Sequence, residues 1–209
     1  MIEYHKIINI FERDKTTNKL IEGKYREPHL EFLKDCKWVG TEKVDGTNIR
    51  IHWNGKDVLF GGRTDNAQLP SDLVTWLNNK FQTIQARNLF ATKFPDKTVT
   101  MYGEGYGAGI QKGGGLYSKE KTFVLFDIVV GDVFLERGNV LGIAELFELQ
   151  TVPVMKEGTL PELVDFIKTK PKSTWGDFES EGIVARPVSE VCTRFGERII
   201  VKIKCKDFQ

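Results

Sequence analysis

Apolar residues recur along this chain in two rhythms. From Ser71 they fall at Leu73, Val74, Leu77, Phe81, Ile84 and Leu89, a helical spacing with Ser71 as its cap. A second helix is predicted over roughly Gly142 to Leu149. A third follows Thr159, which has capping-box spacing to Glu162 ahead of Leu163, Phe166 and Ile167. Elsewhere, alternation or short apolar runs predict strands at Lys6–Phe11, Trp38–Lys43, Asn48–Trp53, Val58–Phe60, Thr98–Gly103, Phe123–Val130, Gly182–Arg186 and Ile199–Lys204. Strands and helices do not alternate regularly, which argues against a doubly wound parallel sheet. The expected class is α+β: mostly antiparallel sheets with flanking helices. No repeat or linker interrupts the pattern, so a single domain over residues 1–209 is expected.

Several strands carry polar residues where the pattern alone does not explain them. In Ile199–Cys205, period two puts Ile199, Val201, Ile203 and Cys205 on one face and Lys202 and Lys204 on the other. Two lysines side by side repel unless an anion lies between them, although solvated lysines on an edge strand are common. The run Phe123–Val130 is nearly all apolar and is expected to be buried on both faces, so Asp127 within it needs a partner. After Lys43, Asp45-Gly46 reads as a hairpin turn with Asn48–Trp53 as the return strand. Glu104 stands where the strand at 98–103 enters a glycine-rich loop that continues through Gly113-Gly114-Gly115. No helix follows in dinucleotide-fingerprint register and no Gly-Lys-Ser/Thr follows, which excludes a Rossmann or Walker loop. Glu181 and Arg186 flank the short run Gly182–Ala185.

Composition narrows the class. Of 209 residues, 40% are hydrophobic and 28% charged, ordinary for a globular chain, and no apolar run has the length of a membrane span. The N-terminal residues lack a signal-peptide layout, and a cytoplasmic location is expected. Cys36, Cys192 and Cys205 are far apart with no CxxC pair, so neither a disulfide framework nor a zinc site is expected. His5, His29 and His52 have no metal-ligand spacing and are expected to be exposed or capping. With 30 basic against 29 acidic residues, overall charge does not identify a partner.

The order of the polar motifs is more telling than any one of them. It runs Lys43-x-Asp45-Gly46, Arg63-Thr64, Tyr102-Gly103-Glu104, Phe126-Asp127, Glu181-Gly182-x-Val184, Lys202-x-Lys204. This series resembles that of the covalent nucleotidyltransferases: DNA ligases, RNA ligases and mRNA capping enzymes. It covers most of the chain. DNA ligases and capping enzymes usually place arginine two positions after the motif glycine, whereas here Gly46-Thr47-Asn48 stands. Gly-Thr-Asn is similar to the phage-type RNA ligases that seal nicked double-stranded RNA, many of which have histidine where this chain has Asp45.

The resemblance implies the adenylation-domain fold and an ATP-dependent polynucleotide ligase. Lys43 would attack the α-phosphorus of ATP, expel pyrophosphate and form a lysyl-AMP intermediate. An amine attacks only in its neutral form, which neighbouring cations favour, and Lys202, Lys204 and a divalent metal would supply them. Mg²⁺ is the expected metal, with Mn²⁺ able to substitute. Phe126 and Val184 would clamp the adenine and Glu42 would read its edge. Asn48 and Arg63 would contact ribose or phosphate. Glu104 and Glu181 would serve ribose or metal, and Asp45 and Asp127 would support them. AMP would then pass to an RNA 5′-phosphate for displacement by a 3′-hydroxyl, most naturally at a nicked duplex. The chain runs five residues past Lys204. A catalytic domain without OB-fold or helical module is therefore expected, with a separate strand-binding partner as an option. The rival readings are a minimal ATP-dependent DNA ligase and an idle nucleic-acid-binding relative. A GTP capping enzyme and an NAD-dependent ligase fit less well.

Overall fold

The computed structural model describes residues 2–208, and they fall into two compact units. A terminal unit comprises Lys6–Val44 and the stretch from Pro153 onward. A central unit comprises Asp45–Val152 with the N-terminal segment through His5. In chain order the terminal unit contributes β1 (Ile8–Asn9), β2 (Phe11–Arg13), β3 (Leu20–Tyr25), α1 (Pro28–Leu33) and β4 (Trp38–Glu42). The central unit follows with β5 (Thr47–Trp53), β6 (Val58–Gly61), α2 (Ser71–Phe81), α3 (Ile84–Lys93) and β7 (Val99–Tyr106). It continues with α4 (Gly114–Tyr117), β8 (Thr122–Val130), β9 (Val133–Phe134), α5 (Arg137–Leu146) and β10 (Gln150–Thr151). The terminal unit closes with β11 (Val154–Gly158), α6 (Leu160–Lys168), β12 (Gly182–Pro187), β13 (Val201–Lys204) and a 3₁₀ turn at Cys205–Phe208.

The terminal unit is built on a sheet of order β1-β13-β12-β4-β11, antiparallel except where β1 joins β13. Its alternation sends Trp38, Ile183, Ala185, Val201 and Ile203 into one apolar core with Leu160, Leu163, Val164 and Ile167 of α6. Helix α6 begins with the predicted capping box: the Glu162 amide donates to the Thr159 hydroxyl at 3.3 Å, and the Thr159 amide to the Glu162 carboxylate at 2.7 Å. β2 and β3 form a separate hairpin.

The central sheet has the order β10-β8-β7-β5-β6, with β9 on β8; only β10 runs parallel to its neighbour. One face is apolar. Ile49, Ile51, Trp53, Met101 and Leu125 pack there with Leu77 and Phe81 of α2 and Phe90 of α3. The other face carries polar rows in register: Asn48 opposite Glu104, Arg50 beside Tyr102 and then Asp127, and His52 opposite Thr100. His52, expected to be exposed or capping, is half-buried with Nδ1 2.9 Å from the Thr100 hydroxyl, and burial pushes its pKa down.

Several expectations need correction. The predicted helix from Ser71 is two helices broken at Gln82-Thr83. Thr83 caps the second by accepting from the Ala86 amide at 3.1 Å, and Ile84 is exposed rather than buried. The cap of α2 is Pro70, not Ser71. The next helix starts at Arg137 instead of Gly142, with Phe147 and Leu149 packing into the core from the turn beyond it. Asp45-Gly46 is no hairpin turn, because β4 pairs with β11 and β12 while β5 pairs with β6 and β7. The turn residues mark where the chain leaves one sheet and enters another. Local turn chemistry could not distinguish that from a hairpin.

Cysteine reactivity offers a check on the terminal unit. Cys36 and Cys192 are exposed, whereas Cys205 is buried and its burial pushes the thiol pKa up. A thiol-specific reagent at neutral pH should modify Cys36 and Cys192 promptly and Cys205 only after denaturant is added, as read by mass spectrometry of the labelled peptides. Native labelling of Cys205 at the rate of the other two would contradict the packing around β13.

Candidate active site

Three adjacent strands of the terminal sheet bring its lysines together. In register, Gly182 pairs with Lys204 on one side, and the Lys43 amide donates to the Gly182 carbonyl at 2.9 Å on the other. Lys204, Gly182 and Lys43 thus form one row on the sheet face away from the core. The neighbouring row on that face is Lys202, Val184 and Thr41. Gly182 leaves the space between the two lysines free of a side chain, and Glu181 fills it. Its Oε2 accepts from Lys43 Nζ at 2.5 Å, and Oε1 lies 3.3 Å from Lys204 Nζ. The carboxylate is the anion that the paired lysines require. The three side chains are only 18–25% exposed, so the interaction is screened less than a surface ion pair.

Gly182 makes this possible through its backbone. Its φ of +140° is one that L side chains rarely adopt, and a Cβ there would stand 2.1 Å from the Ile203 carbonyl oxygen. The Glu-Gly order therefore reflects a close approach of strands together with a bend that presents the preceding carboxylate.

Glu42 lies on the other face of its strand. It pairs with Ile183 and so shares the core-side face, opposite to Lys43. It is buried, and its Oε2 accepts from the Thr174 amide at 2.8 Å and the Thr174 hydroxyl at 2.6 Å, while Oε1 is buried without a hydrogen-bond partner among the described residues. Thr174 thus engages one carboxylate oxygen and leaves Oε1 as an open acceptor. Thr174 carries no sequence signal, since nothing local links it to Glu42. Lys206 lies beyond the strand, exposed on the 3₁₀ turn after β13.

The central unit holds the remaining expected residues. Asn48 and Glu104 face each other across β5 and β7, and the Asn48 Oδ1 is buried with no partner among the described residues. Gly46 lies so close to this pair that a Cβ would meet the Gly105 carbonyl oxygen at 2.3 Å and Glu104 Cγ at 2.8 Å. Asp45 starts the same segment, its amide reaching the Tyr117 hydroxyl at 3.4 Å. Phe126 occupies a β-bulge, since Tyr102 pairs with Asp127 and Gly103 with Leu125, leaving Phe126 as the extra residue. Tyr4 holds both bulge residues: its hydroxyl donates to Asp127 at 2.8 Å and its ring meets Phe126 edge-on at 5.1 Å. Arg63 is exposed in the loop after β6. Among the described residues no group of three or more His, Cys, Asp or Glu stands ready to hold a metal ion.

Comparison with known proteins adds three findings. A sequence profile of the family described as RNA ligase matches residues 36–204. No curated protein matches the chain. Solved structures do match. One is a Naegleria gruberi RNA ligase variant with ATP and Mn, 18% identical, with a TM-score of 0.64 over 86% of this chain and 54% of that one. A second variant of the same ligase, with AMP and Mn, is 17% identical with a TM-score of 0.64, covering 97% of this chain and 57% of the other. A variant without ligand reaches 0.65 at 17% identity, over 98% and 60%. At such identity the likeness is one of fold, and this chain spans about half the length of those proteins.

The bend at Gly182 is open to a direct contrast. Gly182→Ala should destabilise the chain by about 2 kcal/mol or more, through strained φ and the clash with Ile203. Gly142→Ala, in the exposed interior of α5 with nothing near its Cβ, should stabilise by about 0.5–1 kcal/mol. Denaturant melts of the two variants should move in opposite directions, and an unchanged midpoint for Gly182→Ala would contradict the close strand approach.

Proposed function

The chain belongs to the RNA ligase family, and from that membership we propose that it is the nucleotidyl-transferring part of an ATP-dependent RNA ligase with Lys43 as its nucleophile. The observation that carries the reading is the Glu181 carboxylate shared by Lys43 and Lys204, with Lys202 on the same sheet face. An isolated lysine on a strand has many uses. Two lysines around one carboxylate, with a third on the same face, form a site suited to a polyanion that carries an electrophile.

In the proposed step, Lys43 Nζ attacks the α-phosphorus of ATP, an N–P bond forms, and the bond to pyrophosphate breaks. Glu181 Oε2, 2.5 Å from Nζ, is positioned to accept the proton the amine must lose. Lys202 and Lys204 offset the charge that builds on the phosphoryl oxygens. The ribose hydroxyls are donors of the kind that the buried Asn48 Oδ1 lacks, which supports a ribose role for the Asn48–Glu104 pair. Phe126 and Val184 are proposed to contact the adenine, Arg63 the phosphates, and Asp45 and Asp127 to support their neighbours. Glu42, held by Thr174 through Oε2, is proposed to read the adenine edge with Oε1.

ATP and a divalent ion are named with the Naegleria gruberi structures, and we extend them to this chain as a proposal. Both Glu181 oxygens already face ammonium groups and no carboxylate cluster exists among the described residues. The donor set therefore fits a cation brought in on the triphosphate, with Glu104 and Glu181 as the carboxylates available to it. Such an ion would neutralise phosphate charge. The acceptor is proposed to be an RNA 5′-phosphate, sealed to a 3′-hydroxyl in a nicked duplex. Among the described residues no helix is long and apolar enough to cross a membrane, and a cytoplasmic location is part of the proposal.

Incubation with labelled ATP and a divalent cation should yield an acid-labile adenylyl-protein, and Lys43→Ala should abolish it. GTP should label poorly; comparable labelling would favour a capping-type enzyme. Sealing of matched nicked RNA and DNA duplexes should favour RNA.

The lysine pair gives a second test. Lys202→Ala and Lys204→Ala should each slow single-turnover adenylylation on the order of 10²-fold or more. Lys206→Ala should leave it unchanged, since Lys206 lies outside the lysine rows. Equal rates in all three variants, with folding checked by thermal melt, would reduce the pair to surface charge.

A further inference from the structure

Arg50 is a fully buried arginine on the polar face of the central sheet, and none of the motifs includes it. Its register partner on β7 is Tyr102. Burying a guanidinium is costly unless its donors are satisfied. Arg50 directs two of its donors into the loop that leaves β6: Nε donates to the Gly62 carbonyl at 2.6 Å, and Nη2 to Asp65 Oδ1 at 2.8 Å. The residues contacted lie on either side of Arg63-Thr64. The loop is also folded on itself. The Ala67 amide donates to the Thr64 carbonyl at 3.2 Å, and a Cβ on Gly62 would stand 2.7 Å from the Ala67 Cβ. Leu69 then packs against the apolar core. Exposed residues 63–68, polar except for Ala67, thus sit on a loop secured at its start, middle and end.

We propose that Arg50 and Asp65 are positioning residues that hold the 62–69 loop so that the exposed Arg63 guanidinium is preset for a phosphate-bearing ligand. This rests on the nucleotide role proposed for Arg63. The asymmetry of the pair supports it: the Arg50 side chain is 0% exposed and Asp65 67%. The arginine is fixed by the sheet, and the loop is the movable partner. A planar fork spans two anchors on either side of a residue in a way that a lysine ammonium does not. A loop ordered beforehand avoids the entropy of ordering it on binding.

Asp65 is exposed, so its replacement opens no cavity, although the buried Arg50 loses one acceptor. In Asp65→Ala, thermal stability should fall while the chain stays folded at the assay temperature, and KM for ATP in self-adenylylation should rise about tenfold, with kcat less affected. Asp65→Asn keeps an acceptor for Arg50 and should stay near the parent value. In an Arg63→Ala background, Asp65→Ala should add nothing, because the residue it positions is gone. Additive losses, or an Asp65→Ala KM equal to the parent, would overturn the proposal. A second readout is independent of activity. Amide hydrogen exchange at 63–67 should quicken in Asp65→Ala while β5 keeps its protection, and an unchanged loop would equally overturn it. Failure of the parent protein to label with ATP would instead count against the ligase reading, and the exchange result would still decide whether Arg50 and Asp65 hold the loop.

Discussion

The feature on which the terminal unit's chemistry depends is one carboxylate between two ammonium groups. Lys43 and Lys204 lie in one row of a sheet on either side of Gly182, a spacing that would be repulsive alone. Glu181 makes the arrangement stable, and the backbone of Gly182 lets Glu181 reach it. The same arrangement is suited to exchange. A carboxylate that neutralises two lysines in the resting protein can yield them to the phosphates of an incoming nucleotide. The proposed chemistry and local stability would thereby be coupled through residues 181 and 182.

The central unit follows a complementary logic. Its sheet has one apolar face for folding and one face carrying polar rows in register, where Asn48 Oδ1 is a buried acceptor without a hydrogen-bond partner among the described residues. The bulge at Phe126 interrupts the strand ladder and frees one aromatic ring from the alternation, with Tyr4 fixing it and its neighbour. Both features are the ones on which the proposed nucleotide contacts of this unit rest.

Much of this was legible in the amino-acid order. Period-two alternation placed Lys202 and Lys204 on one face, and the apolar run at 123–130 announced a buried Asp127 in need of a partner. The capping box at Thr159 was read directly. What failed were inferences requiring knowledge of which strands pair. Asp45-Gly46 has hairpin chemistry, yet it joins two different sheets. Tyr4, Arg50 and Thr174 act through partners 12 to 132 residues away, and no local pattern marks them. The helix broken at Thr83 misled because both halves feed one core.

The central claim is that covalent chemistry takes place at Lys43. Protein incubated with ATP and a divalent cation, quenched and digested, can be searched by tandem mass spectrometry for an adenylyl adduct. The account predicts a single modified site, on the Nζ of Lys43. An adduct on Lys202, Lys204 or any other residue, or none where labelled AMP is retained by the protein, would contradict it.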